Sequence, residues 1–384
     1  MKAITVYTAY ASFIMFVLLL LLINSYFLIS LNMEKRKNNK IKKQKEIIKK
    51  LLVTVVENEE GNKETINLLK AKLNRKTDIQ AFHQAVKEYE SENINNDKLS
   101  HLLEEIVDIK KIIKSGIVRK EYKESYALYL ISEFNMGNKK AGDFALASLE
   151  KNSLHVRNNA LNVINKNNDL SILMKGIEKI NEKNHYFNDK MIIDFLDNYK
   201  GNKEELDDCL YTRMDSYNIN LRKNIISHFI NRANGSQKIK DKMLNLMQHS
   251  DEKEIIISSI RYFYKIIDHR AEEYLLKNMT SKDWEVRATT ARVIYKYSSE
   301  KIINKLKLTL TDENYYVRSN GAESFLKLVD SEIAIEEAIV NKDRFARDIL
   351  LYAMNIRGII SIEEYERVVN QRKEAENMKG VVLT

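Results

Sequence analysis

Two patterns of apolar and polar residues divide the chain. Residues 4–31 carry no charge, and residues 13–23 at their centre are continuously apolar. From about residue 97 the apolar residues instead recur at spacings of three and four, which is typical of amphipathic helices. About 20 apolar residues are enough to span a bilayer as a helix. The first pattern therefore predicts one transmembrane helix, 4–31, and the second predicts an all-α region.

The all-α region is predicted to consist of helix pairs joined by short polar turns. Ten glycines and no proline leave few breaks within helices. The predicted pairs are 98–113 with 118–134, 140–149 with 153–166, 169–180 with 188–199, 203–214 with 218–232, 236–248 with 252–268, 270–279 with 283–297, 300–310 with 314–328, and 331–340 with 343–357. A polar final helix, 361–376, is predicted to close the stack.

One motif recurs in these pairs with a period near 31 residues. Its two fullest copies contain Asp283, Val286 and Arg287, then Asp312, Val317 and Arg318. Weaker copies supply the repeat arginines Arg157, Arg222 and Arg347. Equivalent positions are 29 to 34 residues apart throughout, and that period predicts stacked helix pairs, because neither helix buries its apolar stripe alone. We expect the Asp or Asn to cap the second helix and the arginine to be structural, pairing with an Asp of the next repeat.

These residues, together with Ala291 and Ala322, resemble the opening of the second helix in HEAT repeats. The resemblance covers roughly residues 97–376 and is strongest from 270 to 330. It implies an α-solenoid of about seven to eight HEAT-like helix pairs that binds a protein partner on its concave face. Similarity to membrane-anchored repeat proteins of bacteria implies a partner in a cell-envelope or polysaccharide synthesis complex. The absence of proline and the copies without arginine depart from the family pattern.

A dense basic run after the apolar segment predicts the orientation of the anchor. Nine Lys or Arg lie between residues 35 and 50, against Glu34 and Glu46. By the positive-inside rule, this single-pass protein of the cell membrane keeps its repeat domain in the cytoplasm. The lone cysteine, Cys209, agrees with a reducing compartment. A cleaved secretory signal is the alternative, but only Lys2 precedes the run and no small-x-small cleavage site follows it.

The positive charge is concentrated near the predicted membrane surface. Residues 1–50 carry a net charge of +8 out of +9 for the whole chain, so residues 51–384 are almost neutral. The basic run therefore predicts contact with anionic lipid. A nucleic-acid partner is disfavoured, because such a solenoid needs a basic face.

Three shorter segments complete the predicted organisation. Residues 32–62 are interpreted as a basic juxtamembrane helical stalk, with a short coiled coil through Ile41, Ile48 and Val55 as the alternative. Residues 63–96 are predicted to form a helical cap or linker, and 377–384 a tail.

Sequence motifs for catalysis, cofactors and metals are missing. Seven scattered histidines and one cysteine form no metal-ligand pattern, and no phosphate-binding loop or nucleophile elbow occurs. We therefore expect no enzyme activity, no cofactor, no metal and no small-molecule substrate.

Partner contacts are instead predicted at three residues. Trp284, the only tryptophan, either folds over the adjacent repeat or contacts a partner. Arg261 and Arg292 lie five residues after the repeat position, where the pattern predicts the concave ridge, and form either a solvated face or a basic spot for an acidic partner.

The sequence thus favours a membrane-anchored cytoplasmic scaffold for protein–protein interaction. Two alternatives remain open. One is a HEAT-like enzyme of the lyase or DNA glycosylase type, and the other is a membrane-tethered nucleic-acid-binding protein.

Overall fold

The computed structural model describes residues 2–57, 63–73, 76–92, 97–107, 112–114, 121–134, 136–182, 187–367 and 370. All regular secondary structure in these ranges is helical. The chain divides into two compact units, Met1–Gly176 and Ile177–Thr384. The predicted tail, 377–384, lies outside the described residues, and so does most of the predicted closing helix beyond residue 367.

The helices of the described residues follow the predicted pairs closely. The first unit contains α1 (Lys2–Glu57), α2 (Lys63–Lys72), α3 (Lys76–Glu92), α4 (Asp97–Ile106), α5 (Glu121–Glu133), α6 (Lys139–Ser148) and α7 (Leu154–Lys166), and α8 (Leu170–Asn181) crosses the boundary. The second unit contains α9 (Asp189–Asp197), α10 (Lys203–Arg213), α11 (Ile219–Asn231), α12 (Gln237–His249), α13 (Lys253–Lys265), α14 (Ala271–Asn278), α15 (Trp284–Val293), α16 (Glu300–Thr309), α17 (Tyr315–Phe325), α18 (Ser331–Val340) and α19 (Arg344–Ile356). Two 3-10 turns, Met214–Ser216 and Ile294–Lys296, follow α10 and α15.

In the first unit, α1 is one continuous helix about 84 Å long whose two halves have different surroundings. Every side chain from residue 10 to 40 is exposed. Beyond residue 40, one apolar seam of the helix is buried where α1 packs against α3. The buried seam consists of Ile41, Ile48, Leu52, Val55 and Val56.

Charged contacts reinforce the same interface. Lys45 and Lys49 on α1 both donate to the carboxylate of Glu88 on α3, and the Lys49 bond is 2.7 Å long. The hydrogen bond from Lys45, and then the one from Lys49, lower the pKa of Glu88 to about 2. The heptad spacing of Ile41, Ile48 and Val55 therefore marks a seam with a partner inside the chain, where the sequence suggested a stalk or a coiled coil. A stripe of apolar residues seven apart requires some partner helix, and α3 provides it.

In the second unit the helices alternate between two layers. The second helices of the pairs, α9, α11, α13, α15, α17 and α19, form what we call the second-helix row, in which each member packs against the next. From α12 onward, each first helix packs against the second helix that follows it. Small residues allow close packing within the row, because Ala291 and Ala322 are fully buried. This arrangement matches the predicted stacking of helix pairs.

Candidate functional site: a groove along the second-helix row

The repeat arginines set the position of each second helix by binding the turn that precedes it. In the three pairs where these bonds are seen, the guanidinium donates to the carbonyl oxygens five and six residues earlier. Arg157 donates to Lys151 and Asn152, Arg287 to Ser281 and Lys282, and Arg318 to Asp312 and Glu313, over distances of 2.7–3.2 Å. Carbonyls at the end of a helix lack helical partners, so a charged donor at this position stabilises the turn.

One repeat arginine also reaches the next repeat, as the sequence suggested. Arg287 Nε and Nη2 donate to the two carboxylate oxygens of Asp312 at 2.8 and 3.0 Å. Hydrogen bonding to Asp312 raises the pKa of Arg287. Burial raises the pKa of Asp312, but bonds from Arg287 and from the Asn314 backbone outweigh it, so this pKa lies below its ordinary value. Arg347 is buried and Arg222 is half-buried in the corresponding positions of α19 and α11.

The capping residues differ in part from the motif residues. Asp283 precedes α15 but forms no side-chain cap bond, whereas Asn314, rather than Asp312, caps α17. Side-chain caps also occur at Asn188, Asn218 and Asp343. Val286 and Val317 are fully buried, as expected for the start of the apolar face.

A groove of about 710 Å³ crosses four consecutive members of the second-helix row, α11, α13, α15 and α17. Its lining residues are Ser227, Ile230, Asn231, Glu254, Ile257, Arg261, Tyr264, Lys265, Trp284, Glu285, Ala288, Thr289, Arg292, Val293, Tyr316 and Asn320. The floor is apolar where Ile257, Ala288 and Val293 are buried. The groove therefore has an apolar floor beneath exposed polar and aromatic side chains.

The helices that line the groove run parallel, which gives it two chemically different edges. Lys253 pairs with Glu285 at the start of α13 and α15, at 2.7 Å, and the hydroxyls of Tyr264 and Tyr295 lie 3.1 Å apart at the far end. We call these the N-terminal edge and the C-terminal edge. Because the repeat register is the same in each helix, equivalent repeat positions line up along each edge.

The N-terminal edge carries the stacked aromatic pair. The Trp284 ring lies over the Tyr316 ring, with centroids 5.6 Å apart and an interplanar angle of 21°. Tyr315 contacts Tyr316 edge to face. Trp284 remains 39% exposed and Tyr316 60% exposed, so the pair combines both interpretations of the tryptophan. It covers the adjacent repeat, and it also presents aromatic surface to the groove.

The C-terminal edge is cationic. Arg261 and Lys265 on α13 and Arg292 on α15 are exposed there. Two lysines extend the edge through aromatic contacts. The Lys327 amino group lies 3.9 Å from the centroid of the Tyr295 ring, and that of Lys296 lies 5.3 Å from the Tyr264 centroid.

Like charges crowd this edge. Burial, followed by the neighbouring charge of Arg357, lowers the pKa of Lys327, and Arg292 acts in the same direction. The carboxylate of Glu323 opposes this effect but is itself bound by Arg357 at 3.1 Å. Lys327 therefore lies among both cations and an acid, and burial is the main cause of its lowered pKa.

The three residues that the sequence singled out for partner binding thus lie in one groove, and partner binding itself stays a prediction. Sequence reasoning missed Tyr264, Tyr316 and Lys327. The repeat register aligns Trp284 with Tyr315, yet the stacked ring is that of Tyr316. Only the tertiary structure shows that a lysine in the turn after α17 approaches a tyrosine of the preceding repeat. Within the described residues, no group of three His, Cys, Asp or Glu side chains is arranged to hold a metal ion.

Neither a protein-family model nor a curated protein sequence matches this chain. Solved structures that resemble it include a homology model of the full-length AP-3 complex in an intermediate open conformation. That alignment has 15% identity and a TM-score of 0.40, and covers 86% of this chain and 68% of the other.

Two further similar structures are a phycocyanin lyase complex and a designed repeat protein. The complex of CpcE and CpcF of phycocyanin lyase from a Nostoc species aligns with 14% identity and a TM-score of 0.23, covering 69% of this chain and 93% of the other. A designed armadillo repeat protein aligns with 15% identity and a TM-score of 0.21, covering 69% and 100%. These TM-scores are low, so our description of the fold rests on the helix stacking given above and not on these similarities.

Proposed function

We propose that this chain is a membrane-anchored, cytoplasmic helical-repeat scaffold that binds a protein partner in the groove. One observation carries the proposal. Four consecutive second helices direct exposed aromatic and cationic side chains into a single groove, above an apolar floor. Trp, Tyr and Arg are the residues that contribute most to protein–protein interfaces. The role is non-catalytic in this proposal, since the groove offers a binding surface and the sequence contains no catalytic motif.

The anchor half of the proposal rests on α1. Among the described residues, one helix is long and apolar enough to cross a membrane, a property of length and composition. Its apolar residues from 10 to 31 are exposed, which suits contact with lipid. The same helix continues without a break into the seam packed against α3, so a single helix connects the proposed anchor to the packed part of the first unit.

Spacing along α1 places the first unit close to the membrane surface. Ten residues separate Leu31, at the end of the apolar run, from Ile41, the first buried seam residue, and they span about 15 Å of helix. Lys45 and Lys49 are half-buried and pair with Glu88 on α3. The part of the basic run nearest the apolar segment, residues 35–43, is therefore available to contact anionic head groups.

We further propose that the partner belongs to a membrane-bound enzyme complex of envelope or polysaccharide synthesis. A tether of this kind raises the local concentration of its partner at the membrane. A role in binding nucleic acid is disfavoured by the near-neutral net charge of residues 51–384 and by the exposed acidic Glu254 on the N-terminal edge of the groove.

The orientation is tested by labelling an engineered cysteine in intact cells. In a Cys209→Ser background, Lys277→Cys places a thiol on an exposed position of α14. We expect a membrane-impermeant maleimide to label this thiol only after the cells are permeabilised, because the positive-inside rule keeps the second unit in the cytoplasm. Labelling in intact cells, with a known cytoplasmic cysteine protein still protected, would contradict the cytoplasmic placement.

The scaffold role is tested by photo-crosslinking from the groove in living cells. A photoreactive phenylalanine analogue replaces Tyr316 in the groove or, as the control, Lys301 on α16. We expect a defined protein to crosslink from position 316 and not from 301. Crosslinking at equal yield from both positions would contradict a groove-specific partner. So would turnover of a small molecule by the purified chain with no protein crosslink.

A further inference from the structure

Three cations of the C-terminal edge lie on neighbouring helices beside the groove. Among the described residues, Arg261, Lys265 and Arg292 have no carboxylate within ion-pair distance, and Lys327 contacts only an aromatic ring. Four cations on or next to the first helices are instead paired with acids of a neighbouring repeat. The paired cations are Lys238 with Asp208, Lys242 with Asp215, Arg270 with Asp241, and Lys307 with Glu337. The C-terminal edge therefore brings three unpaired cations together beside one groove.

The repeat geometry sets the spacing of this charge. Arg261 and Arg292 occupy the same register on α13 and α15, which are packed neighbours. Axes of packed helices lie about 8–10 Å apart, so the backbone positions that carry the two arginine side chains are separated by about the same distance. A polyproline II segment advances about 9.3 Å in three residues and returns to the same side. Acidic side chains three residues apart on such a segment would match successive cations.

The remaining groove chemistry selects a peptide over other polyanions. The exposed Glu254 on the N-terminal edge would repel a ligand that carries negative charge on both sides, as a nucleic-acid strand does, whereas Glu285 is paired with Lys253. Trp284 and Tyr316 already stack on each other, which leaves their edges and one outer face for contact rather than an open slot for a base. A peptide can present carboxylates on one side and apolar groups on the other.

We propose that the groove binds an extended acidic segment of a partner protein, with carboxylates at every third residue facing the C-terminal edge and apolar residues facing Trp284 and Tyr316. This inference rests on the groove of the proposed scaffold and specifies the partner's chemistry.

The test uses the full-length chain in nanodiscs of zwitterionic lipid and a fluorescent peptide of Glu-Pro-Pro repeats. Proline holds the peptide in the polyproline II conformation. Binding is measured by fluorescence anisotropy at physiological salt. We expect saturable binding of this peptide and none of the matched Lys-Pro-Pro peptide.

Two double variants separate the groove from general charge effects. Arg261→Glu with Arg292→Glu reverses two groove cations, and we expect it to weaken binding about tenfold or more. Lys277→Glu with Lys301→Glu makes the same change in net charge on exposed positions of the first helices, and we expect affinity close to that of the unmodified chain. Both variants retain the basic run at residues 35–50, so any background from it is equal. Trp284 fluorescence checks that each variant is folded.

Equal weakening by the two double variants would overturn the proposal. Tighter binding of a single-stranded oligonucleotide or a sulfated oligosaccharide of the same charge, with the same dependence on Arg261 and Arg292, would overturn it as well. Failure of this inference is distinguishable from failure of the scaffold role. If position 316 crosslinks a protein while the acidic peptide does not bind, the scaffold stands and only the acidic partner is wrong.

Discussion

Replacing Asp207 by alanine is expected to lower the free energy of unfolding of the second unit by about 3–5 kcal/mol, because it removes a buried carboxylate that Arg232, Asn234 and His228 share. Asp207 on α10 is buried, with only 1% of its surface exposed. Its carboxylate accepts from Arg232 at 3.0 Å and from Asn234 at 2.6 Å. It also faces His228 Nε2 at 3.2 Å.

The histidine extends this network to a third helix. His228 on α11 is buried, and its Nδ1 contacts the carboxylate of Asp197 at the end of α9. A carboxylate oxygen therefore faces each ring nitrogen, and only the doubly protonated imidazolium can donate to both. Loss of Asp207 removes one acceptor from this ring and the anionic partner of Arg232. This removes α10 from the cluster, while the contact of His228 with Asp197 still joins α11 to α9.

A neighbouring residue provides the matched control for Asp207. Asp208→Ala removes a carboxylate from the same turn of α10, but this side chain is exposed and pairs with Lys238 on the surface. We expect this variant to lose less than about 1 kcal/mol. Unfolding of the full chain in nanodiscs is followed by denaturant titration with Trp284 fluorescence, and hydrogen exchange localises the change to α9–α11. Equal losses in the two variants would show that the buried network contributes no special stability.

Replacing Ile48 by aspartate is expected to separate α1 from the rest of the first unit, with a loss of about 4 kcal/mol or more. Ile48 is fully buried in the seam between α1 and α3. The substitution removes a large apolar side chain from a packed interface and places an unpaired carboxylate there. If the scaffold is tethered as proposed, this variant stays in the membrane while α3 loses protection.

The preceding residue is the control for this prediction. Ile47 is 44% exposed on the same helix, so Ile47→Asp adds the same charge without entering the seam. We expect strong loss of amide protection in α3 for Ile48→Asp and little change for Ile47→Asp, measured by hydrogen exchange in nanodiscs. Unchanged protection in Ile48→Asp would mean that contacts other than the apolar seam hold α1 to α3.

The spacing of apolar residues alone located the helices of the repeat region. A period of three to four decides which face of a segment must be buried, and short polar turns without proline mark where each helix ends. The repeat register also aligned Arg261 with Arg292 and placed Trp284 at the start of a second helix. Each of these features depends only on residue positions within one repeat, so it can be read from the repeating sequence pattern.

Contacts whose partner lies in another segment or in the backbone were decided by tertiary structure. The sequence suggested acidic partners for the repeat arginines, but most of their bonds go to carbonyl oxygens, which every residue possesses and no residue pattern reveals. The seam of Ile41, Ile48 and Val55 required a partner, and only packing identified it as α3.

The two polar clusters depended on tertiary structure for the same reason. His228 looked like one of several scattered histidines until folding brought Asp197 and Asp207 from two other helices to its ring. Lys327 reaches the ring of Tyr295 only because successive second helices pack side by side. Periodicity specifies that a face is buried, whereas the stacking of repeats determines which side chains meet there.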